Sequence, residues 1–182
     1  LNNIFTQKGG DWVEKKLGDC MESISTGPFG SMLHKADYVA GGIPLINPAN
    51  IINYKIIPNL NKTVTEDTMK RLPSHKVSKG DIIVARRGEI GRCAVVTDEQ
   101  DGWLCGTGSF KLTVNDMLLP DFVVTLLRTN NVRSSLEAKA TGATVKNISN
   151  KSLAAQPISV PPVANQRKTL SVLGQLQHKT QH

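Results

Sequence analysis

The stretch VSKGDIIVARRGEIG, residues 77–91, decides the predicted fold. A Gly-Asp pair at 80–81 is typical of a turn, and four consecutive apolar residues follow it at 82–85. A short apolar run bounded by turn residues predicts a strand that is buried on both faces. Because Arg86, Arg87 and Gly88 come next, we expect the chain to leave the core there in a basic loop.

The residues on either side of this strand alternate between strand and helix patterns. Strands are predicted from apolar and β-branched residues at 12–17, 43–46, 51–57, 92–97, 103–106, 109–114 and 157–160. Helices are predicted at 65–71, with Thr65 as N-cap, over 121–139, with Asp121 as N-cap, and from Ser149 through Ala155. The strand-rich middle of the chain is therefore followed by helices.

The pattern changes after Pro161 and Pro162. Apolar residues fall near heptad spacing at Val163, Leu170, Leu173 and Leu176, which predicts a helix whose apolar stripe needs a partner. That partner is either a second copy of the chain or the body of its own domain. We divide the sequence into an upstream tail at 1–11, one compact domain at 12–162, and the start of a helix at 163–182.

Length and composition favour one domain in a reducing cytoplasm. The 182 residues suffice for a full core, and no segment approaches the roughly 20 apolar residues that a membrane-spanning helix needs. The first ten residues lack the features of a secretory signal. The three cysteines form no C-x-x-C pair, and the four histidines have no metal-ligand spacing, so we expect neither a disulfide nor a metal site.

Basic charge is concentrated in two segments of the chain. Lys and Arg total 22 against 15 acidic residues. Counted along the sequence, residues 62–92 carry eight bases and four acids, and residues 131–182 carry seven bases and one acid. If the two segments lie side by side, they form a positive face that suits phosphates; the alternative is a solvated basic surface.

An ordered set of short motifs resembles the specificity subunits of type I restriction-modification systems. The resemblance covers nearly the whole chain. Its motifs are Trp12 with Leu17-Gly18-Asp19, Gly27-Pro28-Phe29-Gly30-Ser31, Tyr38 with Gly42-Ile43-Pro44, Gly80-Asp81-Ile82-Ile83 with Gly88-Glu89-Ile90-Gly91, Thr141-Gly142-Ala143-Thr144, and Pro157-Ile158-Ser159-Val160-Pro161-Pro162 with Asn165-Gln166. Together with the element patterns, the resemblance implies an α/β (mixed α+β) fold with a twisted, partly barrel-like sheet, flanking helices and the start of a C-terminal coiled-coil helix.

The resemblance also implies a function without catalysis. Such subunits have two DNA target-recognition domains, each reading half of a split target, separated by long helices that set the spacing and bind methyltransferase subunits. This sequence resembles one recognition domain and the first turns of one spacer or dimerisation helix, so it is either a fragment or a half-length subunit that pairs with another copy. Its implied partners are duplex DNA and the methyltransferase and restriction subunits. S-adenosylmethionine, ATP and magnesium are expected on those partners, with no cofactor in this chain.

The predicted DNA contacts lie in loops, where side chains can reach base edges and phosphates. They are Ser31, Lys35, Arg86, Arg87, Thr107, Ser109, Thr144, Lys146 and Asn147. Arg86 and Arg87 are the leading pair. Because side chains alternate along an extended strand, we expect at most one of these two to aim at the duplex.

Two motifs imitate enzymes. Asn47-Pro48-Ala49-Asn50 is similar to the Asn-Pro-Pro-aromatic motif of amino-methyltransferases, but it lacks the terminal aromatic residue and is predicted to be a turn. Pro120-Asp121 with Glu137-x-Lys139 imitates a metal-dependent nuclease, whose carboxylates converge from adjacent strands. Here these residues lie in a predicted helical region.

Two other interpretations remain open from the sequence. The domain could belong to a single-chain enzyme that carries its own methyltransferase and nuclease parts. Alternatively, it could be a protein-interaction domain whose basic face and C-terminal helix dock an acidic partner.

Overall fold

The computed structural model describes residues 9–179, with side chains described through residue 175. Within that range the chain forms strands and helices of modest length. The strands are β1 (Val13–Lys16), β2 (Met21–Thr26), β3 (Tyr38–Val39), β4 (Ile43–Ile46), β5 (Ile51–Ile52), β6 (Lys55–Ile56), β7 (Thr63–Val64), β8 (Ile82–Ala85), β9 (Cys93–Val95), β10 (Leu104–Cys105), β11 (Ser109–Val114) and β12 (Pro157–Val160). The helices are α1 (Glu66–Arg71), α2 (Pro120–Leu127), α3 (Asn130–Lys139), α4 (Asn150–Ala154) and α5 (Val163–Lys179).

The central sheet is antiparallel, with the strand order β2-β11-β8-β9. Strand β8 is buried along its whole length, as its apolar run predicts. Ile82 and Val84 pack into the main core with Phe110 and Phe122, whereas Ile83 lies in a second cluster on the opposite face. Both faces of the strand are therefore covered, which explains why its sequence shows no polar alternation.

A second sheet has the order β10-β4-β7-β3, and its strands alternate along the chain with those of the central sheet. It is mixed, since β10 runs parallel to β4 while β7 is antiparallel to both β4 and β3. Two antiparallel strand pairs, β5 with β6 and β1 with β12, complete the described strands. The mixed α/β prediction is confirmed, and within residues 9–179 the sheets do not close into a barrel.

The helical region after the sheet differs from its prediction in two details. Helical spacing over 121–139 corresponds to two helices, α2 and α3, which are separated at Arg128 and Thr129. The hydroxyl of Thr129 donates a hydrogen bond to the carbonyl of Leu126. The prediction of Asp121 as N-cap is wrong, because Leu119 occupies that position and Pro120 begins the helix, where its missing N–H costs nothing.

The two other predicted helix caps are confirmed. The side chains of Thr65 and Ser149 act as N-caps by accepting hydrogen bonds from the backbone N–H groups of Thr68 and Ser152.

The three cysteines, Cys20, Cys93 and Cys105, are free, buried thiols. Burial raises the pKa of Cys93 and of Cys105 to about 12, so both stay protonated at neutral pH. No helix among residues 9–179 is long and apolar enough to cross a membrane.

The side chain of Gln166 holds the start of α5 against the core through hydrogen bonds. Its side chain is fully buried. Its Oε1 accepts a hydrogen bond from the N–H of Leu119 at 2.9 Å, and its Nε2 donates to the carbonyls of Met117 and Pro161 at 2.8 and 2.9 Å. One amide side chain thus satisfies three backbone groups. Farther along the helix, Leu170 packs against the main core, so part of the heptad stripe faces its own domain; the side chain of Leu176 lies outside the described residues.

We expect Gln166→Ala to lower the free energy of unfolding by about 3 kcal/mol, because it leaves one buried and two partly buried backbone groups without their side-chain partner. Urea unfolding measures the change as a shift in midpoint. The matched control is Arg167→Ala on the exposed side of the same helix, with an expected change within about 0.5 kcal/mol. Equal midpoints for the two variants would contradict the role of Gln166.

Candidate nucleic-acid interface

The ends of β2 and β8 and the start of β11 lie side by side at one edge of the central sheet. Ser109 at the start of β11 pairs with Ala85 at the end of β8, and the next residue, Phe110, pairs with Thr26 at the end of β2. The loop bases are joined further, since Gly27 donates its N–H to the carbonyl of Ser109 at 3.1 Å. Because neighbouring strands lie about 4.8 Å apart, the bases of the three loops lie within roughly 10 Å.

The loop between α3 and α4, residues 140–148, packs onto the end of β8. Ile148 donates its N–H to the carbonyl of Arg86 at 3.0 Å, and Gly88 donates to the carbonyl of Lys146 at 3.2 Å. Asn147 accepts a hydrogen bond on its Oδ1 from Nε of Arg86 at 3.2 Å. The loop itself is closed by two backbone hydrogen bonds between Thr141 and Asn147. Residues 86–88 and 146–148 therefore form one joined surface.

This surface unites parts of the two basic segments of the sequence. Arg87 and Lys146 are exposed, and Arg86 is half-buried with its guanidinium 5.6 Å from the centre of the Phe110 ring. Burial lowers the pKa of Arg86, and repulsion from Arg87 lowers it further. Within residues 9–179, no carboxylate forms an ion pair with Arg86, Arg87 or Lys146. Unneutralised cations on adjacent loops suit a polyanion.

The two leading arginines have different environments. Arg86 is held by Asn147 and Phe110, whereas Arg87 extends from the surface. That at most one of the two aims at the duplex stays a prediction, and Arg87 is the more accessible of them. For convenience, we call the exposed cations Arg87 and Lys146, with Arg86 behind them, the cationic edge.

The other predicted DNA contacts differ in their exposure and in the loop to which they belong. Thr144 is exposed in the same loop as Lys146, and Thr107 is half-buried in the turn between β10 and β11. Ser109 is fully buried, and its hydroxyl donates a hydrogen bond to the carbonyl of Ile46 at 3.0 Å. The prediction of Ser109 as a loop contact is therefore wrong in this conformation, because the residue begins β11 and joins the two sheets.

Ser31 and Lys35 belong to the long loop after β2. Both are exposed. The loop is attached to helix α1, whose last residue, Arg71, donates to the carbonyl of Met32 at 2.9 Å and pairs with Asp37 at 2.6 Å. Hydrogen bonds from the His34 N–H and from Arg71 help to lower the pKa of Asp37. The base of this loop adjoins the cationic edge through Gly27, while Ser31 and Lys35 lie farther along it.

Sequence reasoning did not include several exposed or cavity-lining residues among the candidate contacts. Phe29 and Val145 are large apolar side chains that are 59% and 56% exposed, in the first and last of the loops described above. Exposed apolar groups among cations can contact thymine methyl groups or sugars. Arg92, Arg128 and Arg133 converge on a cavity beside the β8–β9 loop. Arg92 and Arg133 belong to the two basic segments, but Arg128 has no neighbouring signal in the sequence.

The motifs that imitate enzymes have structural roles. Residues Pro48–Asn50 form a 3₁₀ turn in which Asn47 donates its N–H to Oδ1 of Asn50, so the turn prediction is confirmed. Asp121 lies in α2, while Glu137 and Lys139 lie in α3, and not on adjacent strands. Across residues 9–179, no group of three His, Cys, Asp or Glu side chains is arranged to hold a metal ion. His182 and the side chain of His178 lie outside the described residues.

Comparison with known sequences places these features in a family context. The family model of the type I restriction modification DNA specificity domain matches residues 9–181. The specificity subunit of the type I restriction enzyme MjaIX from Methanocaldococcus jannaschii is 26% identical over 165 residues. That match covers 90% of this chain but only 37% of the relative's length.

Solved structures show a similar fold at low sequence identity. A chain from work on complex assembly and conformational transition of the type I R-M system has a TM-score of 0.73 and 20% identity, covering 97% of this chain and 42% of that one. The HsdS subunit from Thermoanaerobacter tengcongensis has a TM-score of 0.67 and 18% identity, with coverages of 95% and 39%. The S subunit from M. genitalium has a TM-score of 0.62 and 19% identity, with coverages of 93% and 41%. Each likeness concerns the fold of less than half of the larger chain.

Proposed function

This chain belongs to the type I restriction modification DNA specificity domain family, and from that premise we propose that it reads one half of a split duplex DNA target. The observation that carries this proposal is the cationic edge, where Arg87 and Lys146 from distant parts of the sequence are exposed on adjoining loops without carboxylate partners. The fold supplies a rigid sheet from which these loops project. Recognition loops on a rigid scaffold are a common arrangement in binding proteins.

In the proposed mode, phosphate contacts and base contacts have separate tasks. Arg87 and Lys146 bind backbone phosphates, which positions the duplex but carries no sequence information. Thr144 in the loop of Lys146, Thr107 in the turn before β11 and the exposed polar residues of the loop after β2 supply hydrogen bonds to base edges. Phe29 and Val145 supply apolar contacts with thymine methyl groups. Arg86 and Asn147 act as positioning residues, because their mutual hydrogen bond joins the two loops.

The proposed function places catalysis on other subunits. A methyltransferase subunit and a restriction subunit are the partners, and they carry S-adenosylmethionine, ATP and magnesium, while this chain holds no cofactor. Helix α5 serves as the start of a spacer or self-association helix. Val172, which is 48% exposed on α5, supports a further contact along this helix. The cytoplasm is the proposed location of this assembly.

Selection from a random duplex library tests the proposal directly. The chain is incubated at near-physiological salt, alone and with its methyltransferase subunit, and the retained DNA is sequenced. We expect one short half-site to be enriched in at least the complex. Retention of DNA without enrichment in either sample, or no retention at all, would contradict sequence reading and favour a basic protein-interaction domain.

A further inference from the structure

A cavity of about 250 Å³ lies beside the β8–β9 loop, farther along that loop than Arg87. It is lined by the tip of the β5–β6 hairpin, by loop residues that include Glu89 and Arg92, and by Arg128 and Arg133 near the junction of α2 and α3. We call this cavity, with Tyr54, Glu89, Arg92, Arg128 and Arg133 in its wall, the arginine pocket. Its volume is below the roughly 300 Å³ at which pockets begin to enclose organic ligands, so it suits a small ion or group.

The charges in the wall of the arginine pocket do not balance. Three guanidinium groups face a single carboxylate, that of Glu89, which is hydrogen-bonded to Arg92. This hydrogen bond, with the nearby charges of Arg92 and Arg133, lowers the pKa of Glu89. Arg133 pairs with Glu137 outside the pocket, at 3.7 Å and with about two-fifths of each side chain exposed, so solvent screens that pair. A surplus of positive charge therefore remains around the cavity.

Arg128 is the least compensated of the three arginines. Its guanidinium carbon lies 3.6 Å from the centre of the Tyr54 ring. Its Nε is buried and has no hydrogen-bond partner, and within residues 9–179 no carboxylate pairs with it. A buried polar atom without a partner is uncommon enough to need a physical explanation. Stacking on Tyr54 fixes the plane of the guanidinium, and the fork of terminal N–H groups is then available to a ligand.

The backbone under Tyr54 supports the same interpretation. Asn53 and Tyr54 form the two-residue turn between β5 and β6, with φ angles of 50° and 62°. Turns of this kind favour Asn followed by Gly, because a side chain is disfavoured at positive φ. Tyrosine in the second position opposes that preference. The Tyr54 ring contacts the guanidinium of Arg128, so the strained turn positions the ring against which Arg128 stacks.

We propose that the arginine pocket binds a phosphate-type oxyanion, supplied either by a phosphodiester of a DNA backbone or by free phosphate. Guanidinium groups bind such oxygens through paired N–H donors, which a planar, stacked arginine presents in a fixed orientation. Arg92 is itself oriented, since it donates to the carbonyls of Pro48 and Ile51 at 3.4 Å. The affinity of the pocket for an oxyanion does not depend on the sequence reading proposed above.

Titration with inorganic phosphate tests the pocket without DNA. Amide chemical shifts are followed at constant ionic strength, with chloride replaced by phosphate. We expect saturable shifts at the β5–β6 turn and at 89–92, and Arg128→Gln should weaken this binding about tenfold. The matched control is Lys55→Gln, which removes an exposed charge from the same hairpin but not from the pocket wall. Its phosphate affinity should equal that of the wild type.

Arg133→Gln provides a second variant, because the loss of stacking in Arg128→Gln could prevent folding. It should also weaken phosphate binding while the spectrum stays folded. Shifts that do not saturate, or that are reduced equally by Lys55→Gln, would overturn the proposal. Unchanged phosphate affinity in folded Arg133→Gln together with unchanged affinity in folded Arg128→Gln would do the same.

Salt-dependent duplex binding distinguishes the two sources of the oxyanion. If the DNA backbone occupies the pocket, Arg133→Gln should reduce the slope of log K against log salt by about 0.9. If free phosphate occupies it, the slope should be unchanged while phosphate affinity still falls. Either result supports the oxyanion site. The two proposals can fail independently. If the random-library selection enriches no half-site while the protein still binds phosphate, the proposed function fails and the oxyanion site stands.

Discussion

Charge reversal at the cationic edge is expected to reduce duplex affinity by roughly 100-fold in the double variant Arg87→Glu/Lys146→Glu. Both side chains are exposed, and neither has a carboxylate partner in residues 9–179, so each is available to a phosphate. Glutamate at these positions replaces attraction by repulsion. The slope of log K against log salt should also fall by about 1.8, because two phosphate contacts are lost.

The measurement is a duplex titration at several salt concentrations, with folding checked by circular dichroism. The single variants Arg87→Glu and Lys146→Glu are measured beside the double variant, and Lys79→Glu is their control, because it makes the same change in net charge at the opposite end of β8. Lys79 is exposed and pairs with Asp98 at 2.8 Å. We expect the control to lower affinity only slightly. If the double variant binds DNA like the wild type, the cationic edge is not the DNA site, although membership of the family is unaffected.

The second large effect is expected from one methyl group at Gly27. A Cβ added there would lie 2.0 Å from the carbonyl oxygen of Gly106 and 2.8 Å from that of Cys105. Both contacts are with backbone atoms, which no change of rotamer can move. Gly27→Ala must therefore separate the end of β2 from the turn before β11, and we expect a loss of about 3 kcal/mol or more in the free energy of unfolding.

Thermal unfolding should show a decrease of roughly 6–12 °C in Tm for Gly27→Ala, since about 1 kcal/mol corresponds to 2–4 °C in a domain of this size. Gly30→Ala is the matched control in the same loop, where an added Cβ has no atom within 4 Å. Its expected change is within about 0.5 kcal/mol. A Gly27→Ala variant as stable as Gly30→Ala would show that the two loops do not approach as closely as the structure describes.

These two predictions also concern different properties of one surface. Arg87 and Lys146 are exposed, so reversing them should leave the unfolding midpoint nearly unchanged while DNA affinity falls. Gly27 is buried beside Gly106, so its substitution should lower stability first and affect DNA through the displaced loop. Measuring both quantities for all variants separates loss of contact from loss of structure.

Local sequence patterns determined much of the fold. The apolar run at 82–85 predicted a strand buried on both faces, and Ile82 and Ile83 do lie in different core clusters. Thr65 and Ser149 were recognisable as N-caps because capping depends on residues only three positions apart. The break at Thr129 was missed, since the apolar spacing of the sequence continues across it.

The sequence by itself determined that two basic segments exist and that Arg86, Arg87, Lys146 and Asn147 lie in loops. Only the tertiary structure decided that these loops meet, that Ser109 is buried, and that Arg128 joins Arg92 and Arg133 around a cavity. The physical reason is the range of the interactions. Turn preferences, apolar runs and helix caps act over a few residues and are visible in the sequence, whereas the contacts that assemble a binding surface join residues about 60 positions apart, as Arg86 and Asn147 are.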